Sequence, residues 1–178
     1  PDMKGINYST FLDYADFMLE MAVKYKELIQ IAFKPHPYLK MKLFSEWGEE
    51  KTEAYYKKWE EMENTQLESG NYMSLFYYSD AMIHDCCAFT VEYLYTKNPV
   101  MYLVKDSHHA DNLSQFATDA FNLHYHGHNK EQIEQFIVDV INGVDERKVE
   151  RETYYRENLT PTGNKTACDS IIEAILKG

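Results

Sequence analysis

Short apolar runs set between helix-length stretches constrain this chain more than any other feature of it. Leu28-Ile-Gln-Ile-Ala-Phe33, Ala81-Met-Ile-His84 and Val100-Met-Tyr-Leu-Val104 are each four to six residues long. Runs of that length with little polar alternation read as strands buried on both faces of a parallel sheet. A further short strand is expected at Leu123–His126. Helical spacing fills the intervals: residues 10–26 with Ser9 as N-cap, 38–63, 71–78, 110–121 and 129–142. Asp85–Tyr95 reads as a turn feeding a helix, which Lys97-Asn-Pro99 breaks. The tail is helical near 145–157, crosses Thr160-Pro-Thr-Gly163 and ends in a helix from about Thr166. Strand and helix in alternation with short connections predict βαβ units: one α/β domain over 1–178, a Rossmann-like parallel sheet with helices on both faces, and C-terminal helices over 145–178.

Composition trims the functional classes. The net charge is −11, the wrong sign for a nucleic-acid polymer, whose binding rests on phosphate neutralisation by Lys and Arg. One small nucleotide stays admissible, because backbone amides at a helix N-terminus hold a phosphate without net positive charge. Neither a GxGxxG nor a Walker A loop is present, which argues against a dinucleotide dehydrogenase or a P-loop NTPase. Three cysteines, Cys86 and Cys87 adjacent, make no disulfide framework and no CxxC ligand pattern. That points to a reducing, cytoplasmic compartment. No apolar run nears the ~20 residues of a membrane-spanning helix. The start at Pro1 rather than Met raises the expectation of a processed or excised chain.

In open parallel sheets, ligands bind beyond the carboxyl ends of the strands. Three segments leave strands on that side: Lys34–Pro37, Asp85–Phe89 and Lys105–His109. His36, between two prolines, is held rigidly there and is suited to acting as a general base or stabilising phosphate charge. Lys34 offers positive charge to a diphosphate. The turn Asp85-Cys-Cys-Ala-Phe89 leads into a helix whose first amides would favour an anion by about 0.3–1 kcal/mol. Against each stands a plainer role: a surface turn histidine, a solvated lysine, and caps at Ser79-Asp80 and Asp85. Cys87 lacks the paired base a thiol nucleophile needs. His124, His126 and His128 alternate, with His108 and His109 upstream. An HxHxH strand can present metal ligands on one face, but no acidic partner has convincing spacing, so partly exposed strand-end histidines and no metal are expected.

Four segments in order resemble a known family. Phe33-Lys-Pro-His-Pro37, Tyr78-Ser-Asp-Ala-Met-Ile-His-Asp85, Phe89-Thr-Val-Glu-Tyr-Leu94 and Lys97-Asn-Pro-Val-Met-Tyr102 resemble the donor-binding signature of the CDP-glycerol glycerophosphotransferases. Pro161-Thr-Gly-Asn-Lys165 resembles the family's C-terminal end more loosely. The resemblance implies the C-terminal half of a GT-B architecture, with the active site between two Rossmann-like halves. It implies transfer of glycerol phosphate from CDP-glycerol, or a related nucleotide donor, to an acceptor hydroxyl with release of CMP, as in teichoic acid synthesis.

The same resemblance implies no cofactor, and a partner in the missing N-terminal, acceptor-binding half. Membrane contact would come only through the rest of the protein, at the inner face of the cell membrane. His36 would be catalytic. Lys34, Ser79, Asp85, Cys87, Ala88, Phe89 and Glu92 would bind substrate, Glu92 through the ribose hydroxyls. Where the family has small hydroxyl residues or Gly, this chain has Cys87 and Ala88, which forfeits a side-chain hydrogen bond worth roughly 1.5–3 kcal/mol to a charged phosphate. A nucleotide-sugar glycosyltransferase and a non-catalytic Rossmann-like interaction domain are the alternatives.

Overall fold

The computed structural model describes residues 9–105, 113–161 and 165–177. The chain is mixed α/β with two small parallel sheets. Helix α1 (Phe11–Lys24) opens it, followed by β1 (Ile31–Phe33), α2 (Leu39–Trp47), α3 (Glu49–Glu61) and β2 (Thr65–Leu67). After these come α4 (Met73–Tyr78), β3 (Met82–His84), the single turn α5 (Phe89–Glu92) with a 3-10 turn at Tyr93–Thr96, and β4 (Val100–Leu103). Then follow α6 (Gln115–Phe121), β5 (Tyr125–Gly127), α7 (Lys130–Ile141), α8 (Lys148–Tyr154) running into a π-helical turn at Tyr155–Leu159, and α9 (Ala167–Lys177).

Instead of one continuous sheet, two hydrogen-bonded ladders form among the described residues, β1-β2 and β3-β4-β5, every pair parallel. In β4 the pleat sends alternate side chains to opposite faces. Met101 and Leu103 pack with Phe17 and Met21 of α1 and with Ile133, Phe136 and Ile137 of α7. Val100 packs on the other face with Phe76, Tyr93, Leu94 and Ala120. All four β4 residues are buried, as expected for a central parallel strand. Gly127 lets α7 close on this sheet: a Cβ there would stand 2.8 Å from the Met101 sulfur and 3.3 Å from Ile133.

Helix α1 is the element common to both ladders. Phe17 and Met21 face the β3-β4-β5 cluster, whereas Ala15 and Leu19 face Leu43, Tyr55, Tyr56 and Trp59 beside β1 and β2. Burying each large side chain contributes about 1.5–3 kcal/mol, so the split faces of α1 hold the two halves of the domain together.

Three expectations change. The strand expected over 28–33 begins only at Ile31, because the Leu28 and Ile29 amides both donate to the Tyr25 carbonyl and hold a turn there. The helix expected over 38–63 is two helices, parted at Gly48, whose φ of 82° a side chain rarely adopts. Strand β2 was not foreseen: Thr-Gln-Leu is neither an apolar run nor long enough to show alternation, and pairing with β1 alone defines it.

Candidate functional site

The exits of β1 and β3 border one open groove. Lys34–Pro37 and Asp85–Phe89 line it, with Lys105 after β4. Asp106, Ser107, His108 and His109, the rest of that third segment, lie outside the described residues. Ser9 and Thr10, which lead into α1, share the groove wall.

Asp85 fixes this wall. Its Oδ2 accepts the Thr10 backbone N–H at 2.7 Å and the Thr10 hydroxyl at 3.2 Å. Thr10 makes no side-chain cap bond of its own, so a carboxylate 75 residues away supplies the acceptor that the start of a helix requires. Lys105 Nζ donates to the Ser9 carbonyl at 2.8 Å. The α1 N-terminus is thereby tied to the ends of β3 and β4.

Beneath the Asp85–Cys87 turn lies a buried ring cluster. His84 Nδ1 bonds the Cys86 carbonyl at 3.0 Å. The His84 ring is 4.9 Å from Tyr102 and 5.3 Å from His124, near perpendicular to both. Tyr102 donates to the Asp85 carbonyl at 3.0 Å, and its hydroxyl lies 3.5 Å from the Cys87 sulfur. Burial holds His84 down to about 4 against a lesser upward pull from the Cys86 carbonyl. Burial, then the neighbouring His84, His126, Arg151 and Arg147, takes His124 down to about 2. Burial raises Tyr102 well above the ordinary phenol range, with the Cys87 contact adding to it. Among the described residues, His84 Nε2 and both His124 ring nitrogens have no hydrogen-bond partner. The rings are therefore neutral packing elements at pH 7.

His36 differs. Its ring is exposed, 5.6 Å from the Tyr38 ring, and its Nδ1 accepts the Tyr38 backbone N–H at 3.2 Å. Lys34 is half-buried at the same turn, and Cys87 and Ala88 are exposed on the opposite one. Phe89 packs on Tyr72 and Phe76 at centroid distances of 4.9 and 5.2 Å, a core-facing ring whose backbone N–H donates to the Cys86 carbonyl at 3.2 Å.

Two expected binding residues are engaged elsewhere. Ser79 also lines the groove, but before β3, at the strand's opposite end from Asp85. Its hydroxyl lies 2.8 Å from the Tyr93 hydroxyl, and its carbonyl accepts Asn98 Nδ2 at 2.7 Å. Glu92 is off the groove lining, and its Oε1 accepts the Tyr72 hydroxyl at 2.9 Å. The helix expected after Asp85 is a single α turn, so its dipole is a fraction of that of a full helix.

The alternating histidines differ in burial. His124 is fully buried rather than partly exposed, His126 stacks at 4.3 Å on Phe121 with Nε2 at 3.0 Å from the Phe121 carbonyl, and His128 is exposed. Among the described residues no group of three His, Cys, Asp or Glu side chains could hold a metal ion, and no helix is long and apolar enough to cross a membrane.

Sequence reasoning passed over Thr10, Tyr38 and Tyr102 at this site. Only Tyr102 carried a signal, as a polar-tipped residue inside an apolar run whose hydroxyl must find a partner when buried. Comparison with protein-family models, curated proteins and solved structures finds no match to this chain.

Proposed function

We propose that this chain binds a nucleotide donor in the groove at the carboxyl ends of β1 and β3. In this reading it is the donor half of a GT-B transferase, Rossmann-like with its switch point between those strands. The transferase moves glycerol phosphate from CDP-glycerol, or a close CDP-alditol, to an acceptor hydroxyl. The observation that carries the reading is that two turns 49 residues apart in sequence, with His36 in one and Asp85 in the other, both line one open groove. They are the turns in which the family resemblance is densest, and the open end of a parallel sheet is where such ligands bind. In this reading Lys34, His36 and the Cys87 and Ala88 amides face the diphosphate; positioning and charge stabilisation supply most of the catalysis. Surface-polymer synthesis at the inner face of the cell membrane is the setting the resemblance suggests.

A second reading, a non-catalytic interaction domain, is favoured by the single-turn α5 and by the Asp85 carboxylate beside the anion site. A calorimetric panel of CMP, CDP, CDP-glycerol, CDP-ribitol, UDP and UDP-sugars separates the two. The donor reading expects CDP-glycerol or CDP-ribitol to bind more tightly than any uridine nucleotide. Tighter UDP-sugar binding points to a glycosyltransferase, and no binding at all to the interaction domain.

A further inference from the structure

We infer that the groove between the two ladders is the seat of a further strand, an uncharged apolar segment of the polypeptide leading into α1, parallel to β1 and β3. Ile31–Phe33 and Met82–His84 both line the groove, and among the described residues no backbone hydrogen bond joins them. Successive residues of a parallel strand turn their backbone groups to opposite sides. The Ile31 N–H donates to the Asn64 carbonyl at 2.9 Å, and the Phe33 carbonyl accepts the Glu68 N–H at 2.9 Å. The Ala32 N–H and C=O therefore face away from β2. The Met82 N–H donates to the Pro99 carbonyl at 3.1 Å, so the Ile83 N–H and C=O face away from β4. A strand lying between these two edges pairs on both sides.

Composition separates the inner edges from the outer ones. Strand β2 is Thr-Gln-Leu and β5 is Tyr-His-Gly, polar as sheet margins commonly are. Strand β1 is Ile-Ala-Phe and β3 is Met-Ile-His, without formal charge or proline, as in strands with neighbours on both sides. Yet they are only partly covered. Strand β4, paired on both sides, is buried throughout, whereas Ile83 is half-buried and Ala32 exposed. The groove is also apolar where helices cover it: Tyr14, Ala15 and Met18 of α1 line it with Phe136 and Ile137 of α7.

Helix α1 sets the direction and the source. Its start is held at the carboxyl ends of β3 and β4, by Asp85 on Thr10 and by Lys105 on the Ser9 carbonyl. From there the chain runs through α1 to the amino end of β1. A strand that delivers the chain to Ser9 thus ends where β1 and β3 end, and α1 becomes the crossover helix that joins parallel neighbours. The order is then β2, β1, the further strand, β3, β4, β5. Residues 1–8, Pro-Asp-Met-Lys-Gly-Ile-Asn-Tyr, hold no unbroken apolar run, which places the strand ahead of Pro1 in the polypeptide.

Amide hydrogen exchange and thermal melts test this on two chains, residues 1–178 and the same residues with Val-Ile-Val-Ile-Val joined ahead of Pro1. The Ala32 and Ile83 amides should exchange freely in the first and at least about tenfold more slowly in the second. The melting temperature should rise by about 5 °C. A Val-Pro-Val-Pro-Val extension, which lacks alternate N–H groups, should do neither. Ala32→Pro removes only an outward N–H, so it should leave residues 1–178 within about 2 °C and cancel most of the gain in the extended chain. Ala32 and Ile83 amides already protected in residues 1–178, whether by β1 meeting β3 or by a second copy of the chain, would overturn the proposal. So would an extension that protects neither amide, or a gain undiminished by Ala32→Pro.

Discussion

His36 lies three residues past β1 and His84 ends β3, yet one ring is exposed on the groove wall and the other is 9% exposed. The exit of β1 is a proline-fixed turn with a free imidazole edge. The exit of β3 rests on His84, Tyr102 and His124, and its Asp85 carboxylate is spent on α1. Similar positions in the topology thus do different work. The β3 exit is framework that shapes the groove, and the β1 exit leaves the His36 ring exposed on the groove wall. Whether a strand-end side chain is functional turns on what covers it.

The comparison breaks most readily in acid. His84 and His124 are folded in the neutral form, with pKa values held below that of an unfolded histidine, near 6.5. Their contribution to stability is therefore complete above about pH 6.5 and is lost as pH falls toward 4. Each costs about 2 kcal/mol between pH 7 and 5. Urea midpoints at the two pH values should show this loss, and His124→Phe should remove about half of it; equal midpoints would mean the pair is hydrated or charged in the fold.

Asp85→Ala should cost roughly 1.5–3 kcal/mol, since Thr10 loses a charged acceptor. Lys34→Ala, on the other exit, should change stability by less than about 0.5 kcal/mol, and His36→Ala, which frees only the Tyr38 amide at an exposed turn, by less than about 1 kcal/mol. Thermal melts of the three variants check the contrast, and a mild Asp85→Ala would make the β3 exit as dispensable as the β1 exit. The smallest effect is expected from Cys87→Ser with Ala88→Ser. It restores hydroxyls at an exposed turn, leaves the melt within about 0.5 kcal/mol and tightens CDP-glycerol binding measured by calorimetry. A weakened affinity would mean that the turn contributes amides alone.

How much of this was legible in sequence divides along the same line. The apolar runs at 81–84 and 100–104 gave β3 and β4 within a residue or two, because strands buried on both faces leave an unbroken apolar record. Strand β2 left none, because pairing with β1 rather than its own residues makes it a strand. Thr10 was read as the start of a helix, but its tie to Asp85 spans 75 residues and has no local trace. His36 was singled out through its prolines, which act locally. The sequence spacing of Ser79 and Glu92 matched a family pattern without telling that Tyr93 and Tyr72 already engage them. His124 reads as a partly exposed strand-end histidine, and only the packing of His84, Tyr102 and Phe121 buries it.

The central claim, that a cytidine nucleotide lies between the two exits, is tested most directly by 1H–15N shift mapping on addition of CDP-glycerol. The account predicts shifts at the Lys34, His36, Tyr38 and Cys87–Phe89 amides and little change along α7 and α9. No shift in either turn at millimolar CDP-glycerol, or shifts confined to other surfaces, would contradict it.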